Sequence, residues 1–209
     1  MSLLNFSPFE KEYIEIVYKW RRDVTVSRYM LSDIQDNYKK HIDWFNKISQ
    51  DKYCKYWIIK ANKKPIGLIN IASIDNKNKK LTAGYYIGEE KYRFLGSLPL
   101  VYIYNYIFRV MKFRKIYGEV LSYNKSILKI HEMHGYDTVG VYKDHIMKDD
   151  TYHDVVIVEL LSEKWLSMKR YKNYITKFPT WIYFLYGEII DLIKSLYYFR
   201  SLYHARDHK

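Results

Sequence analysis

A strand-like segment that ends in a glycine turn and leads into a helix-like run constrains the fold of this chain most. The alternating apolar pattern of the strand stops at Gly88, a short charged stretch follows, and Gly96 precedes the apolar run LPLVYIYNYIFRVMKF. A helix that begins directly after a glycine turn presents several unpaired backbone N–H groups, with the positive end of the helix dipole behind them. The segment therefore predicts an anion-binding site, although many proteins with alternating helices and strands contain such a turn.

A second strand and helix further along the chain make this interpretation more specific. The strand KIYGEVL leads into Asn124 and then into the helix-like sequence SILKIHEMHGY. Together the two segments resemble the GNAT superfamily of acetyl-CoA-dependent N-acetyltransferases. The family's phosphate-binding turn corresponds to Arg93, Gly96 and Leu98, the last of which stands where the family has glycine or alanine. The second region of resemblance is longer and more specific, and its matching residues are Asn124, His131, Glu132, Gly135 and Tyr136.

The apolar periodicity along the chain predicts alternating helices and strands. Helices are expected over residues 10–20, 36–49, 97–112 and 125–134, and strands over residues 55–60, 65–74, 81–87, 115–121, 140–147 and 153–160. This order agrees with the order of the GNAT mixed sheet. We therefore expect an α/β protein with an α+β mixed sheet, the GNAT acyl-CoA N-acyltransferase fold, in residues 1–165. An added C-terminal amphipathic helical segment is expected in residues 166–209.

Composition narrows the functional classes. The length of 209 residues suits one domain with an appendage, and the single cysteine, Cys54, excludes an internal disulfide framework. The first residues include acidic side chains and lack a basic leader region, so we expect no signal peptide and a cytoplasmic protein. The formal net charge of +12 is spread over short lysine pairs among acids, which argues against a nucleic-acid partner. A basic surface would also attract coenzyme A or a nucleotide-linked sugar.

The resemblance to the GNAT family implies which residues bind acetyl-CoA, the expected co-substrate. Backbone amides around Ile87 and Gly88 would hold the pantetheine arm and polarise the thioester carbonyl. Asn124 stands where the family contacts the pantetheine arm or an ordered water. The pyrophosphate would be held by the turn residues Arg93, Phe94, Leu95, Gly96 and Ser97.

The N-terminal region, which supplies the acceptor pocket in this superfamily, suggests a substrate class. The informative residues there are Trp20, Arg21, Met30, His41 and Trp44. They resemble the nucleotide-sugar N-acetyltransferases of pseudaminic acid biosynthesis, which acetylate the 4-amino group of a UDP-linked 4-amino-4,6-dideoxy sugar. This resemblance runs over residues 3–165, with an arginine in place of the asparagine of the usual Trp-Arg-Asn pattern. Arg21 would pair with the UDP phosphates, whereas Trp20 and Trp44 are either platforms for the sugar or core aromatics.

Direct transfer needs a group that takes a proton from the acceptor amine and a group that neutralises the departing thiolate. Glu119 is the candidate base, acting directly or through a water, and His131 is the candidate acid. Both have a structural alternative, because Glu119 could be a solvated strand carboxylate and His131 a helix residue that hydrogen-bonds locally. No HExxH motif or cysteine pair accompanies the histidines, so no metal site is predicted.

The C-terminal residues 178–203 read as an aromatic-rich helix with basic flanks whose uncharged part is too short for a membrane span. Two interpretations stay open. The helix packs against the domain or a second subunit of a homo-oligomer, or it lies as a peripheral anchor on the inner face of the cell membrane.

The leading function is a nucleotide-sugar N-acetyltransferase for bacterial surface glycans. The alternatives are a GNAT enzyme that acetylates a protein N-terminus or a small amine, and a non-catalytic coenzyme-binding or membrane-recruited partner.

Overall fold

Seven strands form one mixed sheet, and helices cover both of its faces; the computed structural model describes residues 3–32 and 36–179. The strands are β1 (Asn5–Pro8), β2 (Lys55–Ala61), β3 (Lys64–Asp75), β4 (Lys80–Ile87), β5 (Lys115–Leu121), β6 (Asp137–Lys148) and β7 (Thr151–Leu161). The helices are α1 (Ile14–Arg22), α2 (Val24–Ser27), α3 (Tyr38–Gln50), α4 (Leu98–Asn105), α5 (Lys125–Met133) and α6 (Ser162–Ser167). The predicted mixed sheet is confirmed.

The strand order across the sheet is β1-β2-β3-β4-β5-β7-β6. In the described part of the chain β4 and β5 run parallel, and the other neighbouring strands are antiparallel. The edge strand β1 was not expected from the sequence, because its four residues, NFSP, are too few to show an alternating pattern. The short helices α2 and α6 were not expected either.

The pleat of the central strands divides the core into two layers. Successive strand residues point to opposite faces of the sheet, and in β2 Ile58 belongs to one buried cluster and Ile59 to the other. The Ile58 cluster contains Trp20 of α1 and Phe45 of α3. The Ile59 cluster contains Ile103 and most of its neighbours in α4. The apolar stripes of α1 and α3 therefore cover one face, and α4 covers the other.

Side-chain caps set the starts of two predicted helices. The Asn37 side chain accepts a hydrogen bond of 3.0 Å from the N–H of Lys40 at the start of α3, and Asn124 caps α5 in the same way. The predicted helix over residues 10–20 starts as a 3-10 turn, Lys11–Tyr13, before α1. The predicted helix over residues 97–112 consists of α4 and a following π-helical turn, Tyr106–Val110.

A gap between β4 and β5 interrupts the sheet. The two strands pair in parallel at their first residues only, and the last pair joins Thr82 to Tyr117. Beyond this point β4 continues to Ile87 beside β3, and β5 continues to Leu121 beside β7. The strand edges that face the gap are therefore not paired with each other, and their N–H and C=O groups are available to a ligand that enters between them.

The compact unit of the structure extends to Phe178, beyond the boundary at residue 165 that the sequence pattern predicts. Trp165 is fully buried, and the Phe178 ring stacks on that of Phe6 with centroids 4.4 Å apart. Residues 166–178 thus pack on the same core as the sheet. The predicted helix over residues 178–203 lies outside the described residues, apart from its first two positions. Within residues 3–32 and 36–179, no helix combines the length and the apolar character needed to cross a membrane.

Candidate active site

The gap between β4 and β5 opens into a cavity of about 590 Å³. One wall is formed by residues 83–87 of β4, another by Glu119 and Val120 of β5 together with α5, and a third by residues 25, 26 and 28–30. The predicted site residues that line it are Met30, Ile87, Arg93, Gly96, Glu119, Asn124 and His131. Residues predicted for the coenzyme, the acceptor and the chemistry therefore border one cavity.

The predicted coenzyme turn is held in place by a side chain from β4. Gly96 has a φ of 49° and a ψ of −122°, a backbone conformation that residues with a side chain rarely adopt. The Tyr85 hydroxyl donates a hydrogen bond of 3.1 Å to the Gly96 carbonyl. Burial raises the pKa of Tyr85 to about 12, so this hydroxyl stays protonated. The start of α4 follows directly, at Leu98.

Other predicted coenzyme residues lie outside the cavity lining, namely Gly88, Phe94, Leu95 and Ser97. The Phe94 side chain is 80% exposed. The N–H of Gly88, which was expected near the pantetheine arm, instead donates to the carbonyl of Ile66 at 2.9 Å. Of the two predicted strand-end amides, only that of Ile87 belongs to a residue that borders the cavity.

The Arg93 side chain links this turn to residues 23–30, which we call the strap. Its guanidinium donates to the Thr25 hydroxyl at 2.6 Å and forms an ion pair with Asp23 at 3.3 Å. Hydrogen bonds from Thr25, and to a smaller extent Arg93, lower the pKa of Asp23. The same carboxylate accepts from the Thr25 N–H and so caps α2. The coenzyme turn and the strap are therefore joined by a small polar network.

His131 lies on α5 in the cavity wall and is almost completely buried. Its ring centroid is 4.3 Å from that of Tyr136, and its Nδ1 has no hydrogen-bond partner among the described residues. Burial, together with the neighbouring His134, lowers the pKa of His131 to about 4. The imidazole is therefore neutral at pH 7, and it can donate an N–H hydrogen bond but holds no positive charge.

Glu119 and Asn124 occupy neighbouring parts of the cavity wall. Glu119 is an exposed residue of β5, and Asn124 stands at the start of α5, where its side chain accepts from the N–H of Ile127. Among the described residues that line the cavity, Glu119 carries the one carboxylate and Arg28 and Arg93 carry guanidinium groups. The predicted base, Glu119, thus borders the cavity, and of the two guanidinium groups there that of Arg93 is paired with Asp23.

Four of the residues predicted for the acceptor, Trp20, Arg21, His41 and Trp44, lie outside the cavity lining. Trp20, His41 and Trp44 belong to an aromatic cluster where α1 and α3 pack on the sheet, and Arg21 lies against it. The Trp20 indole N–H donates to the Glu89 carboxylate at 2.9 Å, and the Arg21 guanidinium lies 4.0 Å above the Trp44 ring. A His41 ring nitrogen lies 3.1 Å from a backbone carbonyl of α1.

Arg21 nevertheless keeps an unused donor. Its Nε is buried and has no hydrogen-bond partner among the described residues, and the same is true of the nearby Tyr86 hydroxyl. Burial lowers the pKa of the Arg21 guanidinium, and the nearby hydroxyls of Tyr86 and Tyr56 shift the same pKa in the opposite direction to a smaller extent. The prediction that Arg21 binds phosphate therefore stays a prediction.

The sequence interpretation missed the strap residues Arg28 and Tyr29, which border the cavity, and the side chains that fix them. The Tyr123 hydroxyl donates to the Arg28 carbonyl at 2.6 Å, and the buried Lys148 ammonium donates to the Met30 carbonyl at 2.7 Å. These contacts join residues far apart in the chain, so no local sequence pattern predicts them. In the described part of the chain, no group of three or more His, Cys, Asp or Glu side chains is arranged to hold a metal ion.

Comparison with known proteins identifies the fold and the class of enzyme. The family described as acetyltransferase (GNAT) domain matches residues 4–137, which is more than half of the chain. This chain belongs to the GNAT acetyltransferase family. Its cavity lies where the parallel strands β4 and β5 part. The predicted family is confirmed, and the protein is an N-acetyltransferase with acetyl-CoA as its co-substrate.

Individual relatives of this GNAT chain are distant. Two curated proteins, each called Acetyltransferase PseH, come from Campylobacter jejuni subsp. jejuni serotypes O:23/36 and O:2. Each is 24% identical over 144 residues, which cover 69% of this chain and 89% of the relative. A solved spermidine N-acetyltransferase from Vibrio cholerae, in complex with CoA and spermine, has a TM-score of 0.73 at 17% identity. That match covers 78% of this chain and 98% of the other, and it supports the fold.

Proposed function

We propose that this GNAT enzyme transfers the acetyl group to the amino group of a nucleotide-linked amino-deoxy sugar, for bacterial surface glycan synthesis. The observation that carries the proposal is the Arg28 guanidinium in the cavity wall, which is exposed and has no ion-pair partner among the described residues, whereas the Arg93 guanidinium is paired with Asp23. A diphosphate-linked acceptor is attracted to such a wall, whereas a polyamine needs an excess of carboxylates. The similarity to the two proteins called Acetyltransferase PseH supports the same acceptor class.

The proposed reaction is a direct transfer. The neutral amine of the sugar attacks the thioester carbonyl, a C–N bond forms, and the C–S bond to the coenzyme breaks. Glu119 takes the proton that the amine loses, either directly or through a water. The Ile87 N–H polarises the carbonyl oxygen, and Asn124 contacts the pantetheine arm or an ordered water.

His131 has a narrower role in this proposal than an imidazolium would have. Because burial keeps its pKa at about 4, the neutral ring stabilises the departing thiolate by donating an N–H hydrogen bond. The proton that finally reaches the sulfur then comes from the amine, by way of solvent or of Glu119. The turn from Arg93 to Ser97 holds the pyrophosphate at the start of α4.

A panel of acceptors tests the proposal. Release of free coenzyme A would be followed with UDP-linked 4-amino-4,6-dideoxy sugars, with UDP-linked 2-amino sugars, with spermidine and with a peptide bearing a free N-terminus. We expect turnover with at least one UDP-linked amino sugar and background rates with spermidine and the peptide. Glu119→Gln should lower kcat by about 100-fold or more, the usual contribution of a general base.

Glu132→Gln is the matched control, because Glu132 is an exposed carboxylate of α5 outside the cavity lining. It should retain the wild-type rate. Measurable binding of coenzyme A without transfer to any amino sugar would overturn the proposed acceptor.

A further inference from the structure

The C-terminal half of the strap is fixed from outside by two side chains. The Tyr123 hydroxyl, from the loop between β5 and α5, donates to the Arg28 carbonyl at 2.6 Å. The Lys148 ammonium, from the end of β6, donates to the Met30 carbonyl at 2.7 Å. The backbone on either side of Tyr29 is therefore held against the β5 side of the cavity. Because this backbone is already fixed, a ligand that binds its side chains has to order fewer groups, and the entropy cost of binding is lower.

A cation and aromatic rings lie side by side on this fixed backbone. The guanidinium carbon of Arg28 is 4.6 Å from the centre of the Tyr29 ring. The ring centroids of Tyr29 and Tyr123 are 6.1 Å apart, and the ring of His153 stands 4.8 Å from that of Tyr123. Arg28 is exposed, and in the part of the chain that the structure describes it has no ion-pair partner. Its charge is thus open to an anion at the edge of the cavity.

We propose that Arg28, Tyr29 and Tyr123 form the docking site for the nucleoside diphosphate of the acceptor. The inference rests on the proposed function and adds to it the place where the nucleotide binds. A guanidinium matches the paired oxygens of a diphosphate, and an aromatic face supports a planar base. Arg28 and Tyr29 also border the cavity that contains Glu119, so a nucleotide held there directs its sugar toward the proposed base.

The nucleotide of the coenzyme also carries phosphates and a planar base, so it could bind the same kind of site as the nucleotide of the acceptor. Contacts at the two ends of the strap distinguish the two ligands. The coenzyme turn contacts the beginning of the strap, through Arg93 and Thr25. The Arg28 cluster is at its other end and leans on the loop that follows β5. We therefore assign the first end to the coenzyme and the second to the acceptor.

Titration calorimetry with UDP on the full-length enzyme tests this assignment, with coenzyme A titrated as the second ligand. Arg28→Gln should weaken UDP binding about 10-fold, as expected for loss of a charge-assisted contact, and leave coenzyme A binding as in the wild type. Tyr29→Leu should also weaken UDP binding, whereas Tyr29→Phe, which keeps the ring, should restore it. Arg22→Gln is the matched control, because Arg22 is an exposed strap neighbour that pairs with Asp36 outside the cavity lining.

Kinetics on two acceptors separates a docking role from a structural one. Arg28→Gln should lower kcat/KM for a UDP-linked amino sugar about 10-fold more than for the same amino sugar without the nucleotide. Equal losses on both acceptors, or a loss of coenzyme A binding in place of UDP binding, would overturn the inference while leaving sugar acetylation intact. If the wild type acetylates no amino sugar at all, the proposed function itself fails.

Discussion

Asn105→Leu should destabilise the domain strongly, because this asparagine joins α4 to the segment after α6. Asn105 is 2% exposed, and its amide donates to the carbonyls of Tyr171 at 2.8 Å and Tyr174 at 2.9 Å. Its oxygen accepts from the indole N–H of Trp165 at 3.0 Å and from Arg109 at 3.1 Å. Leucine has a similar volume but can form none of these bonds.

The size of the effect follows from which partners lose access to any hydrogen bond. Trp165 is fully buried, so its N–H stays unpaired at a cost of about 1–3 kcal/mol. The Tyr174 carbonyl loses the Asn105 donor and adds about 1 kcal/mol, whereas the Tyr171 carbonyl keeps a hydrogen bond of 3.3 Å from the Tyr174 N–H and Arg109 is only partly buried. We expect a loss of about 2–4 kcal/mol, a large share of the roughly 5–15 kcal/mol that stabilises a typical domain.

Urea unfolding followed by far-UV circular dichroism measures this loss. Asn78→Leu is a suitable control, because Asn78 is exposed and its side chain bonds to Asp75 in a turn. That variant should lose less than about 1 kcal/mol. Limited proteolysis should in addition detect faster cleavage after residue 165 in Asn105→Leu. A midpoint for Asn105→Leu equal to that of Asn78→Leu would show that the hydrogen bonds of Asn105 do not stabilise the domain.

Two further changes test the packing around the site. Burial lowers the pKa values of His131 and His134 to about 4, so between pH 6.5 and 4 these side chains bind protons in the unfolded chain but not in the folded one. The free energy of unfolding should therefore fall as pH drops through that window, by at most about 3 kcal/mol per imidazole. A wild-type stability that is level over this window in urea titrations would contradict the pKa direction. Gly88→Ala should cost about 1–3 kcal/mol in urea unfolding, because a Cβ there would lie 2.1 Å from the Trp20 ring. Gly140→Ala, where the nearest atom is 3.7 Å away, should be tolerated in the same measurement.

The two segments that are predicted to bind the coenzyme could be recognised in the sequence because their features are local. The positive φ at position 96 favours a glycine there, and α4 begins two residues later. A short sequence segment therefore contains both the turn and the helix start. Asn124 is followed by an amphipathic helix that it caps, and this again is a local pattern. Resemblance to a family then indicated what such a pair of segments binds.

The acceptor side was less predictable, because periodicity reports that a residue is buried but not what it is buried against. Trp20 and His41 lie at helical positions that suit a pocket wall and a core equally well, and both pack where α1 and α3 cover the sheet. Arg28 gave no local sign that it borders the cavity, since the Tyr123 hydroxyl that bonds to its carbonyl comes from a distant loop. Asn105 was likewise hidden within an apolar run, and its partners come from residues beyond the predicted domain boundary.

Competition between two acceptors in one reaction would show which class of amine the enzyme acetylates. The enzyme would be given acetyl-CoA with an isotope-labelled acetyl group and equal concentrations of a UDP-linked 4-amino-4,6-dideoxy sugar and spermidine, and the products would be separated and identified by mass spectrometry. If the acceptor is a nucleotide-linked amino sugar, the label should appear on the sugar amine and spermidine should stay unmodified. Label on spermidine, with none on the nucleotide sugar, would contradict it.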